Sequence, residues 1–313
     1  MKIKKINVLI VGFGYWGPIL ARNFQSNTSF NVHSICDSSP VNLNKAKNIY
    51  PNTNFYKSYK SALNNKYIDF VVISTPTNSH YKIVKYSLLK KKDVLCEKPL
   101  SLKLNEVKKL IALSKQNKKF LFVDYPFIYS ESVKFIRKIF QNKRLGKPLI
   151  YESIREKAPY RKDTDVIWDL GIHDFAILKY LKNKNPKKYE INFRKTLKNF
   201  KSDFANINLS YSNNFSAFIK LNWSSPLKIR LIKIYFEKGL IVYDENEGIY
   251  KINIYKKNKK GFNLEVPLIN FNETLKLFVD FIAKTLSEKK YSKFDHNFSL
   301  DLTKLISKIT RNI

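Results

Sequence analysis

The chain has 313 residues, of which 44% are hydrophobic, so it is long and apolar enough for two domains and is not wholly disordered. No run of about 18 apolar residues occurs, and no small-residue cleavage site precedes the first apolar stretch, so we expect neither a membrane span nor a secretory signal. The formal charge of +33 is spread over lysines along the whole chain, which gives a nucleic-acid partner no defined site. Such a field would instead attract anionic substrates. Cys36 and Cys96 fall at predicted strand ends, as expected for reduced cysteines in the cytoplasm.

A glycine-rich turn joins the first predicted strand to the first helix. It reads Gly12-Phe13-Gly14-Tyr15-Trp16-Gly17. Gly12 would permit a tight turn, Gly14 would let phosphates approach the backbone, and Gly17 would let the helix press on the strand. The helix start also offers free N–H groups and a positive dipole end. The pattern predicts that these six residues bind the pyrophosphate of a dinucleotide.

A second apolar strand, Phe30 to Cys36, ends at Asp37, about twenty residues past the last glycine. A carboxylate at this place could accept hydrogen bonds from the adenosine ribose hydroxyls. Since no arginine adjoins Asp37 to bind the 2′-phosphate of NADP, the sequence favours NAD, and NADP is the less favoured cofactor. An ordinary strand–helix–strand unit without a nucleotide is the alternative.

The next two strands end in polar turns. Ile68 to Ile73 leads into Ser74-Thr75-Pro76-Thr77-Asn78-Ser79-His80, and Asp93 to Cys96 leads into Glu97-Lys98-Pro99. Ligands of doubly wound sheets lie beyond the carboxyl ends of the strands. We therefore expect the nicotinamide half of the cofactor beside Ser74, Thr75, Pro76, Asn78, Glu97 and Lys98. For His80, a cofactor contact and a packing role are both open.

An apolar helical stretch, Val166 to Leu178, contains Asp169 and His173. Residues four apart lie on one face of an α-helix, where a carboxylate can orient an imidazole and raise its basicity. Of the four histidines, only His173 has an acid one turn away inside an apolar helix. A buried structural pair is the alternative.

From about Glu190 the hydrophobic period changes from 3.6 to 2, which indicates strands. Residues 206–221 alternate around Asn213-Asn214, as in a hairpin. Two closing helices are predicted at about 273–286 and 298–309. We predict residues 1–124 as the dinucleotide-binding domain and 125–313 as an α+β domain, whose C-terminal helix could pack back on the first.

In this order, the motifs resemble the Gfo/Idh/MocA family of nicotinamide-dependent oxidoreductases. The resemblance implies a Rossmann doubly wound parallel sheet, followed by an α+β domain with a large, open, mainly antiparallel sheet that makes homodimer or homotetramer contacts. It also implies a catalytic lysine, acid and histidine at Lys98, Asp169 and His173, and a cis Lys98–Pro99 peptide.

The branch found in surface-polysaccharide and sugar-nucleotide pathways is similar in two motifs taken together, Gly14-Tyr15-Trp16-Gly17-Pro18 and Trp168-Asp169-Leu170-Gly171-Ile172-His173-Asp174. That branch often has histidine where this chain has Asp124-Tyr125, which puts the substrate contact of Tyr125 in doubt.

The resulting hypothesis is an NAD-dependent dehydrogenase that oxidises a secondary hydroxyl of a sugar or sugar nucleotide, with the 3-position of a UDP-N-acetyl sugar as the first guess. Beside Lys98, Asp169 and His173, the candidates for substrate binding are Tyr125, Arg155, Tyr160 and Arg161. No Cys/His cluster suggests a metal. A catalytically silent NAD-binding regulator or scaffold remains the alternative.

Overall fold

The computed structural model describes residues 5–198, 201–269, 272–289 and 293–311. Contacts divide the chain into two compact units. The first contains the described residues of 1–126 and 275–303, and the second those of 127–274 and 304–313.

The sheet of the first unit has six parallel strands: β1 (Ile6–Val11), β2 (Phe30–Cys36), β3 (Asn54–Tyr56), β4 (Phe70–Ile73), β5 (Asp93–Glu97) and β6 (Leu121–Asp124). Their order is β3-β2-β1-β4-β5-β6, and every neighbouring pair is parallel. The four residues of β4 are all buried because helices cover both faces of such a sheet. The connection order reverses between β1 and β4, which is where such folds open a ligand crevice.

The helices that connect these strands are α1 (Gly17–Ser26), α2 (Pro40–Ile49), α3 (Tyr59–Ala62), α4 (Thr77–Leu89) and α5 (Leu104–Gln116). Four phenylalanines, Phe24, Phe30, Phe70 and Phe122, form a contiguous aromatic core between α1 and the sheet. On α5, Val107, Leu110 and Ile111 are buried, as their helical spacing predicts.

The second unit begins, after a 3-10 turn at Pro126–Tyr129, with helix α6 (Glu131–Asn142). Its other elements are β7 (Pro148–Glu156), α7 (Ile172–Lys182), β8 (Lys188–Arg194), β9 (Phe204–Ser210), β10 (Ser216–Asn222), β11 (Ile229–Phe236), β12 (Gly239–Asp244), β13 (Ile252–Asn258) and β14 (Gly261–Glu265). Two further helices, α8 (Thr274–Glu288) and α9 (Lys293–Ile309), lie mostly among the residues of the first unit.

These strands form an eight-stranded sheet in the order β14-β13-β12-β11-β7-β10-β9-β8. All pairs are antiparallel except β7 with β10, which is parallel. In the β9–β10 hairpin, Ile207 and Ile219 are buried opposite each other, whereas Asn208 and Phe218 point to the exposed face. The predicted fold class is confirmed, a Rossmann sheet followed by a mainly antiparallel one.

Among the described residues, we find no helix with the length and apolar character needed to cross a bilayer.

Candidate active-site residues

The turn between β1 and α1 is closed by contacts that only glycine permits. Gly12 has a φ of +96°, and a Cβ on Gly17 would lie 2.2 Å from the Gly12 carbonyl oxygen. The Ser74 hydroxyl donates a hydrogen bond of 2.8 Å to that same carbonyl, which ties the end of β4 to the turn. A Cβ on Gly14, in contrast, would meet no atom within 4 Å. Gly12 and Gly17 therefore shape the turn, while Gly14 leaves open space beside the backbone.

The three aromatic residues of the turn have different surroundings. Phe13 is fully buried and meets Tyr50 edge-on. Tyr15 and Trp16 are 75% and 41% exposed and contact each other edge-on. Of the three, Phe13 belongs to the core, and only Tyr15 and Trp16 have exposed rings.

Asp37 holds the glycine turn in place. Its Oδ2 accepts a 2.6 Å hydrogen bond from the backbone N–H of Phe13 and one of 3.1 Å from the side-chain amide of Asn42. Its Oδ1 accepts from the backbone N–H of Ser39 at 2.8 Å. Sequence reasoning missed this structural role. The carboxylate still has lone pairs for ribose hydroxyls, since each oxygen accepts more than one hydrogen bond.

A cleft of about 550 Å³ opens at the carboxyl ends of β1, β2 and β4. Seven of the predicted cofactor-binding residues line it, namely Gly12, Gly14, Asp37, Ser74, Thr75, Pro76 and Asn78. Lys57 and Tyr59 line it too, although no motif singled them out. Predicted contacts of the ribose, the phosphates and the nicotinamide half thus line one crevice of the first unit, at the place where the strand order reverses.

A larger cavity, of about 930 Å³, lies at the other end of the same strands. It is lined by residues at or near the starts of β1, β4, β5 and β6, among them Ile6, Asp69, Asp93 and Phe120. It contains none of the predicted site residues, and parallel sheets carry their ligands at the opposite end.

His80 links two of the strand-end turns. Its Nδ1 lies 2.8 Å from the carbonyl oxygen of Pro99, and its Nε2 lies 2.8 Å from that of Thr75. The ring is 1% exposed. Because both ring nitrogens face main-chain carbonyls, these contacts favour the packing role over direct contact with a cofactor.

Glu97 and Lys98 are both 8% exposed, and the Lys98–Pro99 peptide is cis, as the family resemblance implies. Glu97 pairs in register with Asp124 at the end of β6. Burial, followed by the negative charge of Glu97, raises the pKa of Asp124 well above its usual range. Asp124 was not among the predicted site residues, although it immediately precedes one of them.

Tyr125, a predicted substrate contact, is 5% exposed, and its ring meets Phe298 edge-on. Burial raises the pKa of its hydroxyl. These are the surroundings of a core residue and favour a packing role.

In the second unit, Asp169 lies in a π-helical turn, Ile167–Gly171, that leads into α7. The expected continuous α-helix is therefore wrong at this point. Asp165 begins the turn, where its Oδ1 accepts hydrogen bonds from the backbone N–H groups of Ile167 and Trp168. Single π-turns are frequent at functional sites because they re-aim side chains.

The Asp169 carboxylate is held by two side chains. Trp223 Nε1 donates a 3.0 Å hydrogen bond to Oδ2, and an Arg161 guanidinium nitrogen lies 3.6 Å from Oδ1. Trp223 is 1% exposed, so its indole is fixed. Arg161 also pairs with Asp163 at 2.9 Å. Sequence reasoning missed Trp223, whose only signal was its place at the end of a predicted strand.

His173, at the start of α7, meets the ring of Phe127 edge-on, with 4.9 Å between the ring centroids. The Arg155 guanidinium lies 5.1 Å from the Phe127 centroid on another side. Phe127 therefore connects the imidazole to a buried cation.

Arg155 is 1% exposed, and its guanidinium binds Asp174 at 2.8 Å and Glu245 through two nitrogens. Tyr151 donates a further hydrogen bond to Asp174. A guanidinium so fully engaged favours a structural role for Arg155 over the predicted substrate contact. Tyr160, in contrast, is 48% exposed beside Trp223.

The comparisons with known proteins agree with this geometry. Residues 6–125 match the Gfo/Idh/MocA model, described as an oxidoreductase family with an NAD-binding Rossmann fold.

Over residues 6–125 the chain is therefore similar to this family.

Two curated relatives match this chain over somewhat more than half of its length. The chain is 28% identical to a myo-inositol 2-dehydrogenase of Thermotoga maritima over 55% of this chain and 53% of the relative. It is 24% identical to an inositol 2-dehydrogenase of Salmonella typhimurium over 59% and 56%. The chain thus spans about half the length of these curated relatives.

Solved structures match the chain over both units. A UDP-N-acetylglucosamine 3-dehydrogenase from Acidithiobacillus ferrooxidans has a TM-score of 0.86 at 17% identity and covers 99% of this chain and 98% of its own. A 3-ketoreductase from Actinomadura kijaniata has a TM-score of 0.89 at 12% identity with the same coverages. At these identities the likeness is one of fold.

Proposed function

We propose that this protein is an NAD-dependent dehydrogenase that oxidises a secondary hydroxyl of a sugar or sugar nucleotide. The observation that carries the proposal is the cleft at the place where the strand order reverses between β1 and β4. The glycine turn and Asp37 line this cleft, and residues 6–125 match a family with an NAD-binding Rossmann fold. The open space at Gly14 and the spare acceptor capacity of Asp37 fit a dinucleotide's phosphates and ribose. Because no arginine adjoins Asp37 to bind a 2′-phosphate, we favour NAD over NADP.

The residues of this chain then have separate roles in the reaction. NAD, when bound, supplies the hydride acceptor. His173 takes the proton of the substrate hydroxyl, since an imidazole titrates near neutral pH. Lys98 hydrogen-bonds the same oxygen and stabilises the negative charge that develops on it. Asp169, fixed by Trp223, binds a neighbouring hydroxyl or orients His173.

For the substrate we favour the 3-position of a UDP-N-acetyl sugar, in surface-polysaccharide biosynthesis. The fold shared with a UDP-N-acetylglucosamine 3-dehydrogenase supports this choice, and the inositol dehydrogenases among the relatives make a cyclic polyol the second candidate.

We further infer a homodimer or homotetramer through the second sheet, since Phe218 and Leu264 are 43% and 56% exposed on it.

The test is a panel of UDP-, dTDP- and GDP-sugars with myo-inositol, each incubated with NAD while the absorbance of reduced nicotinamide is followed. Turnover should appear with one class of substrate. Lys98→Met should lower kcat at least about 100-fold, because it removes the donor at the developing oxyanion. Its affinity for NAD, measured by calorimetry, should change little.

Lys108→Met, at an exposed lysine of the same unit, is the matched control and should behave as wild type. Full turnover by Lys98→Met would remove Lys98 from the mechanism. NAD binding without turnover on any substrate would favour the silent regulator instead.

A further inference from the structure

Two acidic side chains end neighbouring strands beneath the predicted active site of the first unit. Glu97 on β5 and Asp124 on β6 are partners in the parallel register, so their side chains lie on the same face of the sheet. They are 8% and 3% exposed. Their carboxyl groups lie within hydrogen-bonding reach of each other.

Each carboxyl group has one oxygen that meets no donor within the described part of the chain, Oε1 of Glu97 and Oδ1 of Asp124. A buried acceptor without a donor costs about 1–3 kcal/mol, and two ionised carboxylates in contact repel each other as well. A proton held between the two groups removes the repulsion, because one carboxyl then donates a hydrogen bond to the other.

The electrostatics agree with a shared proton. Burial and then the charge of Glu97 raise the pKa of Asp124, while the positive charge of Lys98 acts in the opposite direction. Cys96, the other titratable neighbour, is buried too, and burial raises the pKa of its thiol, so it stays neutral. The charged groups acting on Asp124 are therefore Glu97 and Lys98.

We propose that Glu97 and Asp124 share one proton at neutral pH and together carry a single negative charge that offsets the ammonium of Lys98. Asp124 is then a positioning residue for Lys98. A change in the charge of the pair would change the electrostatic field that acts on Lys98. The role for Lys98 rests on the proposed function, but the shared proton does not.

Infrared difference spectroscopy on the full-length protein tests the shared proton directly. At pH 7 an ordinary aspartic acid is protonated in roughly one molecule in a thousand. Wild type should nevertheless show the carbonyl stretch of an un-ionised carboxylic acid, and Asp124→Asn should lose it. Asp280→Asn, which alters an exposed aspartate bonded to Asn27, is the matched control and should keep it.

Glu97→Gln provides a second variant should Asp124→Asn fail to fold. Its amide can donate to Asp124, which then ionises, so the same band should disappear. A spectrum unchanged in both variants, or no such band in wild type, would overturn the shared proton.

The positioning role is tested by the pH dependence of turnover. In wild type, kcat should fall at alkaline pH as the pair loses its proton, and Asp124→Asn should lack that fall because an amide does not ionise. An identical alkaline fall in both proteins would overturn the positioning role. If no substrate is found, the proposed function fails while the infrared result still decides the shared proton.

Discussion

The glycine turn of the first unit and the Asp169 turn of the second are held together in different ways. In the first, the side chains of Asp37 and Ser74 bind main-chain groups of the turn. In the second, Asp169 is held by the side chains of Trp223 and Arg161. A site fixed through main-chain atoms depends on where glycines occur, whereas a site fixed through side chains depends on distant residues of the correct type.

The largest expected effect tests the main-chain region. Gly17→Ala places a Cβ 2.2 Å from the Gly12 carbonyl oxygen, so the turn must shift. We expect a loss of at least about 3 kcal/mol in unfolding free energy, measured by urea denaturation, together with loss of NAD binding.

Gly14→Ala is the matched control, since its Cβ would meet no protein atom. It should fold with wild-type stability and still lose NAD affinity, because the added methyl occupies the space reserved for phosphates. Equal stability of Gly17→Ala and wild type would contradict the role given to the close contact in the turn.

A smaller effect tests the side-chain region. Trp223→Phe keeps an aromatic ring but removes the hydrogen bond to Asp169. A bond to a charged group contributes about 1.5–3 kcal/mol, so we expect kcat/KM to fall roughly 10- to 100-fold. NAD affinity serves as the internal control and should stay within about twofold of wild type. Unchanged kcat/KM would mean that the bond does not matter for turnover.

The smallest expected effect returns to the first unit and concerns Asp37. Asp37→Ala removes the acceptor predicted for the ribose hydroxyls and should weaken NAD more than NADP, changing the ratio of their dissociation constants by about tenfold. Ser39→Ala, at the adjacent helix cap, should leave that ratio unchanged. An unaltered ratio in Asp37→Ala would leave this carboxylate with only its contacts to Phe13, Ser39 and Asn42.

The same difference explains what could be predicted from the sequence. The strand, turn and helix at residues 6–26 follow from an apolar run, three spaced glycines and a proline, all of which act locally. The β9–β10 hairpin follows from strict alternation around Asn213-Asn214. Both features are present in the structure.

The contacts of Asp169 and Arg155 could not be predicted in this way. Spacing alone does not distinguish a π-turn from an α-turn, so the prediction of a continuous α-helix at Asp169 was wrong. The sequence does not show that Arg155 is buried, because its partners Asp174 and Glu245 lie 19 and 90 residues away and are brought to it only by the fold. Asp37 was singled out for its ligand, but its bond to Phe13 depends on how the turn closes.

The placement of β7 has a consequence for how the protein is made. It is the first strand of its sheet to be synthesised, yet its neighbours are β10 on one side and β11 on the other. Until the chain has grown past Phe236, at least one edge of β7 lacks its partner, and unpaired strand edges invite association with other chains. We therefore expect the emerging polypeptide to depend on chaperones over this interval, and truncation within it to yield aggregates instead of a folded half.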